Sequence, residues 1–329
     1  MSKQRVPSLT WVLLVVVLML LPLVTPGTYA TGVMCFVALY GALALGMGLL
    51  MEQAGLFSLA HPSFFGLGAY IAGILATREI LPPWAGIIVA AVVVALVAYL
   101  IGAPLLRLRG YYLACATFGL LFIVEIGLAQ MGSLTGGHDG LVGIPPLSVF
   151  GLTLAGDLHY YYVSWGFCLW CLWFFYNIMN SRIGRAVKAL HDSEVAASSV
   201  GINVAGFKLQ MFVITAIMAS VAGSICCFYL QFIAPTMFGF PLLTELLTMI
   251  VVGGGTTLYG PVLGSMVITW IREAMHLYLR DILPVMTAEV DSVFFGALIV
   301  VILIFMPGGM AGWLEAFANF GRRLLGRAR

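Results

Sequence analysis

About ten stretches of apolar residues follow one another along this chain, and they leave it little choice of solvent. They are Leu9 to Leu23, Tyr29 to Met51, Leu56 to Ala76, Trp84 to Leu106, Tyr112 to Met131, Tyr160 to Met179 and Phe207 to Phe232. A short run then follows, Leu242 to Val252, halted by Gly253-Gly254-Gly255, and after it Leu258 to Leu279 and Val293 to Met306. A hydrocarbon core about 30 Å thick takes roughly 20 helical residues to cross, and within it every backbone N–H and C=O must be paired inside the segment. Hydrophobic residues fill 62% of the 329 positions and charged residues 9%, which excludes a water-soluble fold of this length. The expectation is an all-α polytopic membrane protein of about ten transmembrane helices, with glycines allowing close helix contact.

The placement of charge orients the bundle. Threading the spans from a cytoplasmic N-terminus puts Lys3, Arg5, Arg107, Arg109, Arg182, Arg185, Lys188, Lys208, Arg322, Arg323, Arg327 and Arg329 on the cytoplasmic side, twelve of the fifteen basic residues. Both termini then face the cytoplasm, and the long loop Gly132 to His159, with His138, Asp139, Asp157 and His159, faces outward. Lys3 and Arg5 before the first run also fit a secretory signal ending near Ala30. Its apolar core is longer than a signal core, however, and its removal would spoil the even number of spans that keeps both ends basic. The six cysteines, Cys35, Cys115, Cys168, Cys171, Cys226 and Cys227, all fall inside spans and read as packing residues rather than disulfides or metal ligands.

Two clusters break the apolar pattern. In Gly55 to Tyr70, Pro62 removes a backbone donor, so Ser58, His61 and Ser63 either re-satisfy carbonyls around a kink or line a solute path through a broken helix. In Glu245 to Gly264, the short run before Gly253 and the Gly260-x-x-x-Gly264 spacing predict a discontinuous helix pair, with Thr248 and Thr256 among its polar groups. The two breaks read as halves of an inverted repeat that meet near the membrane centre. Charges at membrane depth need a partner, protonation or water. This makes Glu125, Glu245 and the Arg272-Glu273 pair candidates for either a pathway or a structural role.

The segment Ser181 to Lys208 is the one long polar stretch that can form a helix. Ile183, Val187, Leu190, Val195, Ala197 and Val200 alternate with Arg185, Lys188, Asp192 and Glu194, between Gly184 and Gly201, as in a surface helix presented to a cytoplasmic partner. The chain has no G-x-x-x-x-G-K-[ST] run to cradle nucleotide phosphates, no H-E-x-x-H and no nucleophile elbow.

Together these residues resemble the permeases of branched-chain amino-acid ABC transporters. Gly55-Leu-Phe-Ser-Leu-Ala-His-Pro-Ser-Phe-Phe-Gly-Leu-Gly-Ala-Tyr70 is similar to their G-x-x-S-L-x-H-x-x-F-x-G-x-G-A-Y signature, and Leu134 to Leu141 to their T-G-G-x-D-G-L segment. Ser181-Arg-Ile-Gly-Arg-Ala, Glu194-Val-Ala-Ala, Gly201-Ile-Asn203 and Gly253-Gly to Gly260-Pro261 match further on. The resemblance runs from about Tyr29 to Pro307, and the T-G-G-x-D-G-L loop favours a LivM-type subunit; Pro62 stands where small residues are usual.

The resemblance implies an ABC importer permease fold with broken helices near the midplane, in a bacterial inner membrane. It implies residues 1–28 as tail and first span, 29–307 as permease core and 308–329 as a basic cytoplasmic tail. The partners would be a second, LivH-type permease, two cytoplasmic ATP-binding subunits and a periplasmic solute-binding protein. No cofactor and no catalytic residue is implied. Within 182–203, Arg182, Arg185, Asp192, Glu194, Ala197 and Gly201 correspond to the coupling helix. The pathway would draw on Ser58, His61, Ser63, Glu125, Glu245, Thr248 and Thr256, and the binding-protein surface on Asp139 and Asp157. Leucine, isoleucine and valine are the expected solutes; relatives of this group also carry urea, short amides or aromatic acids. An ion-coupled secondary transporter, with Glu125 or Glu245 as proton site, is the alternative mechanism, and it would have no use for a coupling helix.

Overall fold

The computed structural model describes residues 28–305 except 150, 151, 155, 200, 202, 256 and 279–287, together with 22, 309 and 310. The first apolar run apart from Pro22, the signal reading that rests on it, and the basic C-terminal tail lie outside the described residues. The main helices are α1 (Thr28–Gly48, continued by a π turn, Leu49–Gln53), α2 (His61–Thr77), α3 (Pro83–Leu105), α4 (Tyr111–Gln130) and α5 (Asp157–Asn180). They are followed by α6 (Arg182–Asp192), α7 (Glu194–Ser199), α8 (Val204–Leu230), α9 (Phe240–Gly253), α10 (Gly260–Tyr278) and α11 (Ala288–Phe305).

Six stretches among the described residues are long and apolar enough to cross a membrane: α1 with its π turn, α3, α4, α5, α8, and Pro235–Gly253, which contains α9. This count is smaller than the run count of the sequence for local reasons. The run from Leu56 starts outside any helix, because residues 55–60 are irregular and α2 begins only at His61, with Pro62 in the first turn where its missing N–H costs nothing. α10 carries Arg272 and Glu273 within its length.

α1 is the axis of the bundle. Its apolar window is 94% buried, against 28% for α3 and α4 and 33% for α5, which form the outer wall. It packs along α5 and α10, while α8 packs along α2 and α3. Backbone contact fixes the α2–α8 crossing: a Cβ on Gly223 would lie 2.0 Å from the Phe65 carbonyl oxygen, and one on Gly68 would lie 2.3 Å from that of Ser220. Ser224 Oγ then donates to the Gly68 carbonyl at 3.1 Å. The Gly260-x-x-x-Gly264 spacing makes the close contact it predicts, since Cβ atoms on Gly253 and Gly264 would meet the Gly260 and Met249 carbonyls. Five of the six cysteines are buried and all are unpaired; Cys115 is exposed on α4.

The start of α1 meets the end of α8, with Phe36 and Tyr229 ring centroids 5.6 Å apart, so the two helices run antiparallel. Each is followed by an irregular entry, a helix and a further helix: 54–60, α2 and α3 after α1, and 231–239, which includes a 3₁₀ turn at Pro235–Phe238, then α9 and α10 after α8. The two stretches share this order of elements, and the break in the second that corresponds to the Pro62 entry is not at Gly253. That turn closes α9 at the far end, and the counterpart of the Pro62 entry is the stretch before α9, where Pro235 opens a 3₁₀ turn and Gly239 separates it from α9, with Pro241 in the first turn of α9. Strand β1 (Leu141–Val142) pairs antiparallel with β4 (Phe232–Ile233), tying the long loop to this second entry, and β2 (Ser148–Val149) pairs with β3 (Leu152–Thr153).

Candidate functional site: a charged pathway face and a polar helix pair

The second entry places charge deep in the bundle. Arg272 Nη1 on α10 donates to Glu245 Oε2 on α9 at 2.6 Å, and the guanidinium lies 5.7 Å from the centre of the Tyr40 ring on α1. Glu245 is 4% exposed. An unpaired charge at this depth would be costly, and the pair with its aromatic wall removes most of that cost. A cavity of about 280 Å³ opens beside the pair, lined among others by Tyr40, Thr236, Leu242 and Phe295. Thr236 and Met237, which line it, are exposed, so the cavity reaches the surface of the bundle.

Glu125 on α4 meets the same entry from the other side: a Cβ on Gly239 would lie 2.5 Å from its carboxylate. Gly239 precedes the first turn of α9, whose N–H groups lack intrahelical acceptors and carry the positive end of the helix dipole. A carboxylate is favoured there. The two acids therefore differ: Glu245 is buried and paired with a guanidinium, whereas Glu125 is half-buried beside Gly239 ahead of α9. Tyr40 and Thr236 were not among the expected pathway residues. The Pro235-Thr-Met-Phe-Gly-Phe-Pro241 run is the signal, since two prolines around a glycine mark an interrupted helix start.

The other expected pathway residues are elsewhere. Ser58, His61 and Ser63 are 0%, 0% and 1% exposed, and their side-chain polar atoms have no hydrogen-bond partner among the described residues. His61 faces Gly46 of α1. Thr117 Oγ1 of α4 accepts from the Leu59 N–H at 3.0 Å, holding the first entry in place. Thr248 is buried, and its hydroxyl donates to the Thr244 carbonyl at 2.7 Å. The Gly253–Gly255 turn meets Glu52 and Gly260 rather than the Ser58–Ser63 corner, and Thr256 lies outside the described residues. The two glycine-rich clusters thus sit on different faces of α1: a Cβ on Gly46 would face His61, and one on Gly48 would face Pro261 and Ile250.

At the opposite end of α1 from Tyr29, α6 and α7 form the polar pair. Ser181 caps α6, its Oγ accepting from the Ile183 N–H at 3.1 Å. Val187 and Leu190 are buried against the bundle, while Arg182, Arg185 and Lys188 are exposed. Asp192 ends α6. Glu194 pairs with Lys208 at the start of α8, and Arg109 after α3 approaches its other oxygen at 3.9 Å. Ala197 is buried, whereas Gly201 is exposed at φ +82°, with no atom within 4 Å of the place a Cβ would take. A Cβ on Gly55 would touch His191, so α6 also abuts the first entry. On the far face, Asp139 is exposed in a 3₁₀ turn, and Asp157 accepts from the Tyr229 hydroxyl at 3.2 Å.

A helical bundle with six stretches long and apolar enough to cross a membrane, two irregular entries and a polar helix pair at one end, defines a multi-pass membrane permease. Residues 29–303 match the family described as branched-chain amino acid transport system / permease component, and the chain belongs to that family. It is 28% identical over 295 residues to the high-affinity branched-chain amino acid transport system permease proteins LivM of Salmonella typhimurium and Escherichia coli, covering 83% of this chain and 67% of each relative. It is 31% identical over 135 residues to the Escherichia coli LivH permease, 41% of each chain, so the LivM type is matched far more completely. No solved structure matches the chain.

Proposed function

We propose that this chain is one permease half of an ATP-driven importer of branched-chain amino acids in a bacterial inner membrane. It works with a LivH-type permease, two cytoplasmic ATP-binding subunits and a periplasmic binding protein. Four further spans beyond the six, built on the first apolar run, α2, α10 and α11, bring the total to about ten and leave both termini in the cytoplasm. The second permease covers the face where Thr236, Met237 and Phe240 are exposed, closing a path past Glu125, Glu245 and Arg272. Ser58, His61 and Ser63 join that path when the first entry moves, and Asp139 marks the binding-protein surface.

The observation that carries this reading is the fastening of α6 and α7. They touch the ends of three elements, through Arg109 after α3, Lys208 of α8 and Gly55 of the first entry. A displacement of this pair by nucleotide-driven motion of an ATPase is therefore passed to the wall and to the first entry at once, which is what biasing a two-state bundle requires. Leucine uptake and ATP hydrolysis by the reconstituted complex test the proposal. Gly201→Trp, at an exposed position of positive φ, is expected to cut uptake at least ten-fold while hydrolysis continues. Normal uptake by an assembled Gly201→Trp complex would remove the coupling role.

A further inference from the structure

At the end of the bundle opposite α6 and α7, a second cavity of about 380 Å³ lies where the start of α1, the start of α5, the end of α8 and the last turns of α10 converge. Its walls include Tyr29, Phe36, Asp157, Tyr229, Thr269 and Glu273. Of its lining, Arg272 alone belongs to the pathway proposed above, and the inference does not rest on that reading. Tyr29, Asp157 and Tyr229 each lie within two residues of a helix end, which sets the cavity at the level of the membrane's polar interface.

The charge of the cavity is negative. Arg272 also lines it, but that guanidinium is already held by Glu245, so among the described residues Asp157 and Glu273 have no cation of their own within it. The two carboxylates are held by phenols: Tyr229 donates to Asp157 Oδ1 and Tyr29 to Glu273 Oε1, leaving Oδ2 and Oε2 to accept. Gly32 keeps this arrangement possible, because a Cβ there would lie 2.9 Å from the Tyr229 hydroxyl. A third acceptor is independent of the acids. Thr269, 2% exposed, lines the cavity, and its Oγ1 has no hydrogen-bond partner among the described residues. The Phe36 and Tyr229 rings, at 63° to each other, add the aromatic surface that a cation favours.

We propose that this cavity binds a primary ammonium group, with the ethanolamine headgroup of a membrane phospholipid as its source. A primary ammonium has three N–H donors, and the cavity offers Asp157, Glu273 and Thr269 as three acceptors. A trimethylated ammonium has the same charge and no donor, so it meets the aromatic surface but leaves Thr269 unpaired. The interface depth favours a lipid, whose headgroup is concentrated at that level.

The test uses the chain assembled with its partner subunits in nanodiscs of phosphatidylethanolamine, phosphatidylcholine or phosphatidylglycerol, followed by native mass spectrometry of the lipids retained after delipidation. Phosphatidylethanolamine is expected to be retained at least five-fold over phosphatidylcholine, and Asp157→Asn with Glu273→Gln is expected to abolish the preference. Should the double variant fail to assemble, the wild-type comparison of ethanolamine with choline lipid still decides the matter. Millimolar ethanolamine hydrochloride added without lipid separates the sources. No thermal shift supports the lipid, whereas a shift lost in the variant overturns the lipid and assigns the site to a soluble amine. Equal retention of the ethanolamine and choline lipids, or a preference indifferent to both substitutions, overturns the site itself.

Discussion

Replacing Arg272 by methionine tests what holds α9 against α10. At 2.6 Å, the Arg272–Glu245 pair gains about 6 kcal/mol of Coulomb attraction at an effective dielectric near 20, most of which offsets the desolvation of two nearly enclosed charges. The net value of the pair is therefore small, but the value of either partner alone is strongly negative. Arg272→Met leaves a carboxylate 4% exposed beside Leu242 and Phe295 and is expected to cost about 3–5 kcal/mol. Glu245→Gln alone strands the guanidinium, though the Tyr40 ring softens that loss. The double variant has no stranded charge and is expected to recover about 2 kcal/mol or more of the summed losses, within the range of coupled neighbours. Thermal unfolding of the purified chain, followed by size-exclusion fluorescence for wild type, both single variants and the double, closes the cycle. Additive single and double losses would refute the reasoning and make the contact incidental.

Further outcomes follow from other contacts. Gly223→Ala forces α2 and α8 apart against the Phe65 carbonyl and is expected to destabilise the chain by about 2–3 kcal/mol, while Gly166→Ala, with open space at its Cβ, stays within about 1 kcal/mol in the same unfolding assay. Asp139→Lys is expected to weaken binding-protein affinity several-fold at low ionic strength and much less at 0.5 M salt, and an unchanged affinity removes the loop from that surface. In a Cys115→Ser background, Ser58→Cys is expected to react with a small water-soluble thiol reagent in one nucleotide state only; inertness in every state would mean that Ser58 only packs.

Much of this architecture is legible in the residues. Span length and apolarity mark α1, α3, α4, α5 and α8 because lipid demands a continuous helix from each. The alternation from Ile183 to Glu194 likewise gives α6, whose Val187 and Leu190 are the buried ones. The two irregular entries are harder to read, since an apolar run looks the same whether its first residues are helical or not. Pro62 shows where α2 starts, but only the packing of Leu59 on Thr117 shows that the preceding residues enter the bundle. The misplaced second break has the same origin: three successive glycines draw more notice than Pro235 to Pro241, although they only turn the chain between two packed helices. Glu125 and Glu245 are conspicuous in sequence, but no pattern along the chain joins Glu245 to a residue 27 positions later or Glu125 to the start of α9.

The order in which the helices are made has a consequence for assembly. The most enclosed helix, α1, is the first described one to leave the ribosome, and α10, one of its two main neighbours, follows some 210 residues later, a wait of roughly 10–40 s at ordinary rates of synthesis. In water such a helix would aggregate. In the bilayer its apolar surface is as well solvated by acyl chains as by leucines, and the later helices need only displace lipid from a surface already smooth enough to receive them. The small residues along α1, such as Gly41, where the Ser265 hydroxyl docks, then hold vacancies that acyl chains fill badly and that the late arrivals fit.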